Sequence, residues 1–334
     1  MRYPAAAGSF YPGDENALKK QIEECFTHKL GPGEIPVYEK TFSKKLKKSF
    51  RVDGKLNFPY NKKGERRIKG CVVPHAGYIY SGPVAAHVYS ALANDGFPET
   101  FIIIGPNHTG YGSGVAVTTE SFNTPLGDVC VDKDLAKYLL NTIIDNDIDA
   151  HRYEHSIEVH LPFLQYTRKL FQRNQRKVFD AQESESSLFS PKLQSNFVEC
   201  RESTFPTIKK DFSFVPICMS MQDYKTAKEV GSIIKDVIKD RDVVVIASSD
   251  FTHYEPKEVA NRKDKMAIDA IINLDSKKLF EVVKQNNITM CGCGPVMSMI
   301  EAVNGKKATL LKYATSGDIQ PMNDVVGYAG IIVE

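Results

Sequence analysis

The sequence predicts an α/β protein, a single domain with a mostly parallel central sheet covered by helices. Three observations predict it. Short apolar runs recur along the chain, they alternate with stretches of helical periodicity, and several end in turns containing Gly, Pro and His. Strands buried on both faces read as continuous apolar runs, and intervening helices supply the crossovers that parallel strands need.

Each element follows from its local pattern. Leu18, Ile22, Cys25 and Phe26 fall at i, i+4, i+7 and i+8, which predicts an amphipathic helix with Asp14 as its cap. Buried strands are expected at Cys71–Val73, Phe101–Ile104, Phe212–Ile217, Val243–Ala247, Thr309–Tyr313 and Tyr328–Val333. Helices are expected between them, near 82–94, 132–144, 154–170, 223–239, 256–272, 276–285 and 295–303. No internal repeat is visible.

Composition bounds the function. The 334 residues are 42% hydrophobic and 25% charged, which excludes a wholly disordered chain, a collagen-like fibre and a disulfide miniprotein. A net charge of +2 argues against a nucleic-acid binder. The seven cysteines, at 25, 71, 130, 200, 218, 291 and 293, form no CxxC pair, which argues against a zinc ribbon or thioredoxin-type site. The start lacks a secretory pattern and no apolar run approaches a membrane span, so a cytoplasmic protein without a membrane partner is expected.

The near-neutral balance conceals an asymmetry. Residues 40–69 carry twelve Lys/Arg against two acids, leaving a net −8 on the remainder. This stretch reads as a solvated insertion at about 36–68, with an anion or nucleic-acid contact as the sharper alternative. A second insertion is expected at 167–211, where neither helical nor strand periodicity holds through the polar middle.

Three expected strands run into histidines. Cys71-Val-Val leads to Pro74-His75-Ala76-Gly77-Tyr78, Phe101–Ile104 to Gly105-Pro106-Asn107-His108, and Val243–Ala247 to Ser248-Ser249-Asp250-Phe251-Thr252-His253. Ligands of open α/β sheets bind beyond the carboxyl ends of strands, so His75, His108 and His253 form a converging set. Neutral imidazole is the commonest side-chain ligand of zinc, iron and copper. Two histidines and one anionic ligand leave open positions. The anion can be Asp250 or a thiolate from Cys291-Gly292-Cys293-Gly294-Pro295, where a helix N-terminus would lower a thiol pKa. The plainer reading of both cysteines is small buried residues. In Glu154-His155-Ser156-Ile157-Glu158-Val159-His160, His155 and Glu158 share a helix face, so the helix can offer His155 to the site with Glu158 orienting it; the equal alternative is a polar helix start with Glu154 and Glu158 near the positive dipole end.

These runs, with Ala7-Gly8-Ser9-Phe10-Tyr11 and Cys291-Gly292, occur in the order in which they occur in the Memo family, which the chain resembles over nearly its whole length outside the two insertions. The resemblance implies one domain over 1–334 with the fold of class III extradiol ring-cleaving dioxygenases. It implies His75, His108 and Cys291 as metal ligands, with Asp250 and His253 lining the same pocket and His155 and Glu158 close by. His253 stands where the dioxygenases place their acid–base histidine. A cysteine where those enzymes carry a carboxylate ligand means that ring cleavage is not safely inherited. The cofactor expected is a divalent or redox metal, iron first, with copper or zinc also suited. The expected partner is a small molecule or peptide in the metal pocket. A metal-binding protein, an oxidoreductase of unknown substrate in one version, ranks first. An extradiol-type dioxygenase acting on a catecholic molecule ranks second and a zinc hydrolase a distant third.

Overall fold

A computed structural model describes residues 1–36, 66–140, 142–170 and 212–334. The expected insertions fall almost wholly on 37–65 and 171–211, outside the described residues. Ile68, at the described edge of the first, and Thr167, at the edge of the second, are buried in the core.

The strands are β1 (Gly70–Val73), β2 (Thr100–Pro106), β3 (Val115–Val117), β4 (Phe122–Thr124), β5 (Gly127–Val131), β6 (Asp145–Asn146), β7 (Ser213–Met219), β8 (Val243–Ser248), β9 (His253–Pro256), β10 (Ala308–Thr315) and β11 (Asp324–Val333). The helices are α1 (Glu15–Thr27), α2 (Tyr78–Asp95), α3 (Lys133–Leu139), α4 (Asp149–Arg152), α5 (160–170), α6 (Tyr224–Val237), α7 (Lys257–Ile272), α8 (Ser276–Gln285), α9 (Cys293–Ala302) and α10 (Ser316–Ile319). The main sheet runs β10-β11-β1-β8-β2-β7-β3-β6. Its centre, β1-β8-β2-β7, is parallel, and β11 and β3 flank that centre antiparallel.

The centre is parallel because every residue of β1, β2, β7 and β8 is buried, as the unbroken apolar runs require. Helix α2, backed by α1, packs on β1, β10 and β11, while α9, backed by α6, packs on β1, β2 and β8. Leu18, Ile22, Cys25 and Phe26 are the buried residues of α1, and the Asp14 carboxylate accepts from the backbone N–H groups of Asn16 and Ala17. Gly70 admits α9 to the sheet: a Cβ there would lie 2.6 Å from the sulfur of Met299.

Two expected helices differ from the structure. The one near 132–144 ends at Leu139, since Leu140 turns extended and the chain enters β6, which pairs with β3. The one expected over 154–170 becomes helical only at residue 160. Glu154 draws the N–H groups of His155 and Ser156 onto its own carboxylate, and residues 156–159 form turns. Strands β3 to β6 and β9 were not expected: all are short, and all but the apolar β3 carry polar residues. Among the described residues no helix is long and apolar enough to cross a membrane.

Candidate metal centre

β1, β8 and β2 are adjacent and parallel, so the residues that follow them emerge side by side at one edge of the sheet. His75 follows β1 by two residues and His108 follows β2 by two. Cys291 arrives from the other direction, in the loop that opens α9. Its neighbour Gly292 is required there, because a Cβ would lie 2.2 Å from the Ser248 carbonyl oxygen.

One ligand atom each from His75, His108 and Cys291 lies within 4.8 Å of the others. The Cys291 sulfur is 3.3 Å from His75 Nε2. A tetrahedral metal with bonds of the usual lengths separates imidazole and thiolate donors by about 3.3–3.6 Å, so this donor set fits a transition-metal ion after small adjustments. The second nitrogen of each imidazole is already engaged. His75 Nδ1 is 2.7 Å from Ser248 Oγ, and His108 Nδ1 is 3.0 Å from Glu154 Oε1. Both rings therefore turn Nε2 inward, the arrangement in which outer partners fix the orientation of metal-ligating histidines.

The electrostatics suit a cation. Burial, reinforced by the neighbouring imidazoles of His155 and His108, lowers the His75 pKa well below the usual range and keeps a neutral ligand. Burial, followed by the Asp250 charge, pushes the Cys291 thiol well above its usual value. This corrects the expected lowering at the helix N-terminus: Cys291 lies outside the first turn of α9, and desolvation outweighs the dipole. A bound cation reverses that balance, since a coordinating thiol is deprotonated outright.

The surrounding residues brace this set. Asp250 Oδ1 accepts from the His75 backbone N–H at 2.8 Å, and the Asp250 N–H reaches the Cys291 sulfur at 3.3 Å. Burial raises the Asp250 carboxyl to about 6 against the pull of the His75 N–H. Asp250 therefore buttresses both ligands, and it is Cys291 that groups with the two imidazoles. His253 begins β9, where its backbone N–H donates to Thr289 Oγ1 at 2.7 Å and its Nδ1 meets the Thr289 carbonyl at 2.8 Å. His155 stacks on His108 at 4.7 Å and on Phe10 at 4.1 Å, closing one wall.

Glu158 does not orient His155. Its buried carboxylate accepts from Arg2 Nη1 at 2.6 Å, from the N–H groups of Ala5 and Ala6, and from the Tyr11 hydroxyl. Because 156–159 is not helical, the shared helix face assumed from the spacing does not exist. The carboxylate beside His155 is that of Glu154, 3.2 Å from its Nδ1. Burial opposes ionisation of Glu154, but the hydrogen bond and charge of His108, the charge of His155 and the Ser156 N–H hold its pKa at about 2. Glu154, His108 and His155 also form a donor group of metal-binding dimensions, which the hydrogen bonds of Glu154 fully account for.

Comparison with known proteins gives the family. The family model for Memo-like proteins matches residues 2–181 and 170–332. The chain belongs to the Memo-like family. A MEMO1 family protein of Methanopyrus kandleri is 43% identical over 99% of this chain and 98% of its own length. A MEMO1 family protein of Methanocaldococcus jannaschii is 42% identical over 100% and 99%. Among solved structures, an uncharacterized protein of Escherichia coli K12 matches 80% of this chain and 100% of its own, at 11% identity and a TM-score of 0.44. Within this Memo-like chain, sequence reasoning passed over Glu154 as a helix-start acid and overlooked Ser248, Thr289 and Phe10. The Ser248-Ser249-Asp250 run at the end of a buried strand was the available signal, since polar residues there must find partners.

Proposed function

We propose that this Memo-like protein binds one transition-metal ion through His75, His108 and Cys291 and acts on a small molecule or peptide held beside it. The observation that carries this reading is the convergence of three donors within 4.8 Å, with both imidazoles held through their other nitrogen. Two neutral imidazoles and a thiolate favour iron or copper, with zinc as the non-redox alternative. A bound iron or copper ion supplies Lewis acidity and one-electron chemistry. The chain supplies the donor set at the sheet edge, Asp250 to fix His75 and Cys291, and the His155 wall.

Metal identity and stoichiometry in natively purified protein test the reading. Cys291→Ser, His75→Ala and His108→Ala should each empty the site, whereas Cys293→Ser, His87→Ala and His151→Ala should not. Cys293 is a buried residue of α9 whose thiol burial pushes up to about 12. Full metal content in Cys291→Ser would move the ligand assignment elsewhere.

A second reading, an extradiol-type dioxygenase, is favoured by one observation at His253. Its Nδ1 faces a carbonyl and so carries the proton, which leaves Nε2 as a base able to take a proton from a bound hydroxyl. Oxygen uptake by iron-loaded protein across a panel of catechols would support it. No uptake at full metal loading would leave the metal-binding reading alone.

A further inference from the structure

Three buried polar side chains lie in a row behind His75, and the first of them, Ser248, meets its ring. Ser248 ends β8, His160 begins α5, and Tyr89 lies in α2; each is at most 1% exposed. Ser248 Oγ has three close partners: His75 Nδ1 at 2.7 Å, His160 Nε2 at 2.7 Å and the Ser156 carbonyl oxygen at 2.6 Å. A hydroxyl has one proton and two lone pairs. The Ser156 oxygen can only accept, so the Ser248 proton goes there. Both lone pairs then face imidazole nitrogens, and both of those nitrogens must carry a proton.

The assignment propagates in both directions. His160, protonated on Nε2, has its lone pair on Nδ1, where the Tyr89 hydroxyl lies at 2.8 Å and donates. Burial lowers the His160 pKa to about 3, which keeps that ring neutral. His75, protonated on Nδ1, has its lone pair on Nε2, facing the Cys291 sulfur. Reversing either tautomer would set two protons against each other or two lone pairs against each other in a site without water-accessible relief.

We propose that Tyr89, His160 and Ser248 form a tautomer lock for His75, holding its Nε2 lone pair available to a metal ion before any ion arrives. All three are positioning residues, since none reaches the metal position. The inference rests on the metal-binding reading above and adds three residues to it. Preorganisation of this kind spares the ligand a tautomer exchange on binding, and loss of a ligand-orienting partner typically lowers metal affinity 10- to 100-fold.

Long-range 1H–15N correlation spectra of the metal-free chain test the lock directly. His75 should show a protonated Nδ1 and a bare Nε2, and His160 the opposite. A protonated His75 Nε2, or a mixture of tautomers, overturns the proposal. Zn(II) affinity measured against a competing chelator provides the second arm. Ser248→Ala should weaken Zn(II) binding about 10- to 100-fold. Tyr89→Phe, which removes one oxygen remote from the donors, should weaken it less and introduce a second His75 tautomer. Unchanged affinity and unchanged tautomer in Tyr89→Phe would reduce the chain to packing, even if Ser248→Ala fails to fold. Failure of the native chain to bind Zn(II), Fe(II) or Cu(I) would instead sink the metal reading, and the two failures are thereby distinguished.

Discussion

Glu154 and Glu158 lie four residues apart, both buried, and they serve two different regions of the molecule. Glu154 faces the sheet edge, where it holds His108 and lies against His155. Glu158 faces the N-terminal segment, where it pairs with Arg2, itself seated 4.5 Å from the centre of the Phe122 ring. Arg2 also donates to the carbonyls of His151 and Glu154, so the N-terminus is stapled beneath the turns that carry His155. Residue type and burial do not separate the two acids. Their partners do: one carboxylate is shared with titratable rings that present free nitrogens, the other is saturated by donors with nothing left to offer a ligand.

The largest effect should come from the staple. Glu158→Gln leaves the Arg2 guanidinium buried without a counter-charge, and breaking such a pair costs about 3–5 kcal/mol. Denaturant unfolding should show that loss, while metal content per folded molecule stays the same. Metal loss without loss of stability would mean that both acids serve one site. Glu154→Gln should do the reverse. Metal affinity should fall about 10- to 100-fold, with a smaller change in stability. The ionised Glu154 adds stability above the unfolded carboxylate pKa, which is lost as pH falls towards its folded value of about 2. The Gln variant should therefore lose part of the acid sensitivity between about pH 4.5 and 2.

How far each region was legible follows from the same contrast. All six expected strands coincide with β1, β2, β7, β8, β10 and β11; in β1, β2, β7 and β8 burial on both faces leaves an apolar run that local sequence displays, whereas β10 is only partly buried. Histidines at the ends of β1, β2 and β8 were visible for the same reason: a strand boundary fixes where the next side chain emerges. The acids of 154–158 were misread because helical periodicity was assumed where Glu154 folds its own backbone into turns. The partner of Glu158 lies 156 residues away at Arg2, a separation no local pattern encodes. The roles of Ser248 and His160 were not legible for the same reason, being set by three elements meeting in space.

His151 sharpens the division by pH. It lies in the staple, its Nε2 3.2 Å from the Ala116 carbonyl, and burial followed by the Arg2 charge lowers its pKa to about 4. A histidine held neutral while its unfolded form titrates near about 6.5 contributes stability that is complete above that pH and lost as pH falls towards 4. Over that window the native chain should lose up to about 1.4 kcal/mol per pH unit from this residue. His151→Gln should flatten the slope by that amount without changing metal content, whereas metal loss would place His151 in the site region.

The smallest expected effect concerns strain on the site side. In the pairing of β9 with β11, Glu255 stands opposite Val325 and His253 opposite Val326, so Tyr254 is the extra residue of a bulge. Its φ is 57°, and its side chain is 78% exposed with the ring centre 5.9 Å from that of His253. A tyrosine gains little from that exposure and bears the steric cost of a left-handed backbone, which a glycine would not. The strain relieved, about 1–3 kcal/mol, exceeds the added unfolded-state freedom of glycine, about 0.5–1 kcal/mol. Tyr254→Gly should thus raise unfolding stability by about 1 kcal/mol, while Tyr254→Ala, equally strained, should not. If both variants lose stability alike, the ring is packed rather than displayed, and the bulge exists to seat Tyr254. If glycine stabilises and alanine does not, the bulge exists for its neighbour: it turns His253 onto the Thr289 carbonyl, at a cost the staple region nowhere shows.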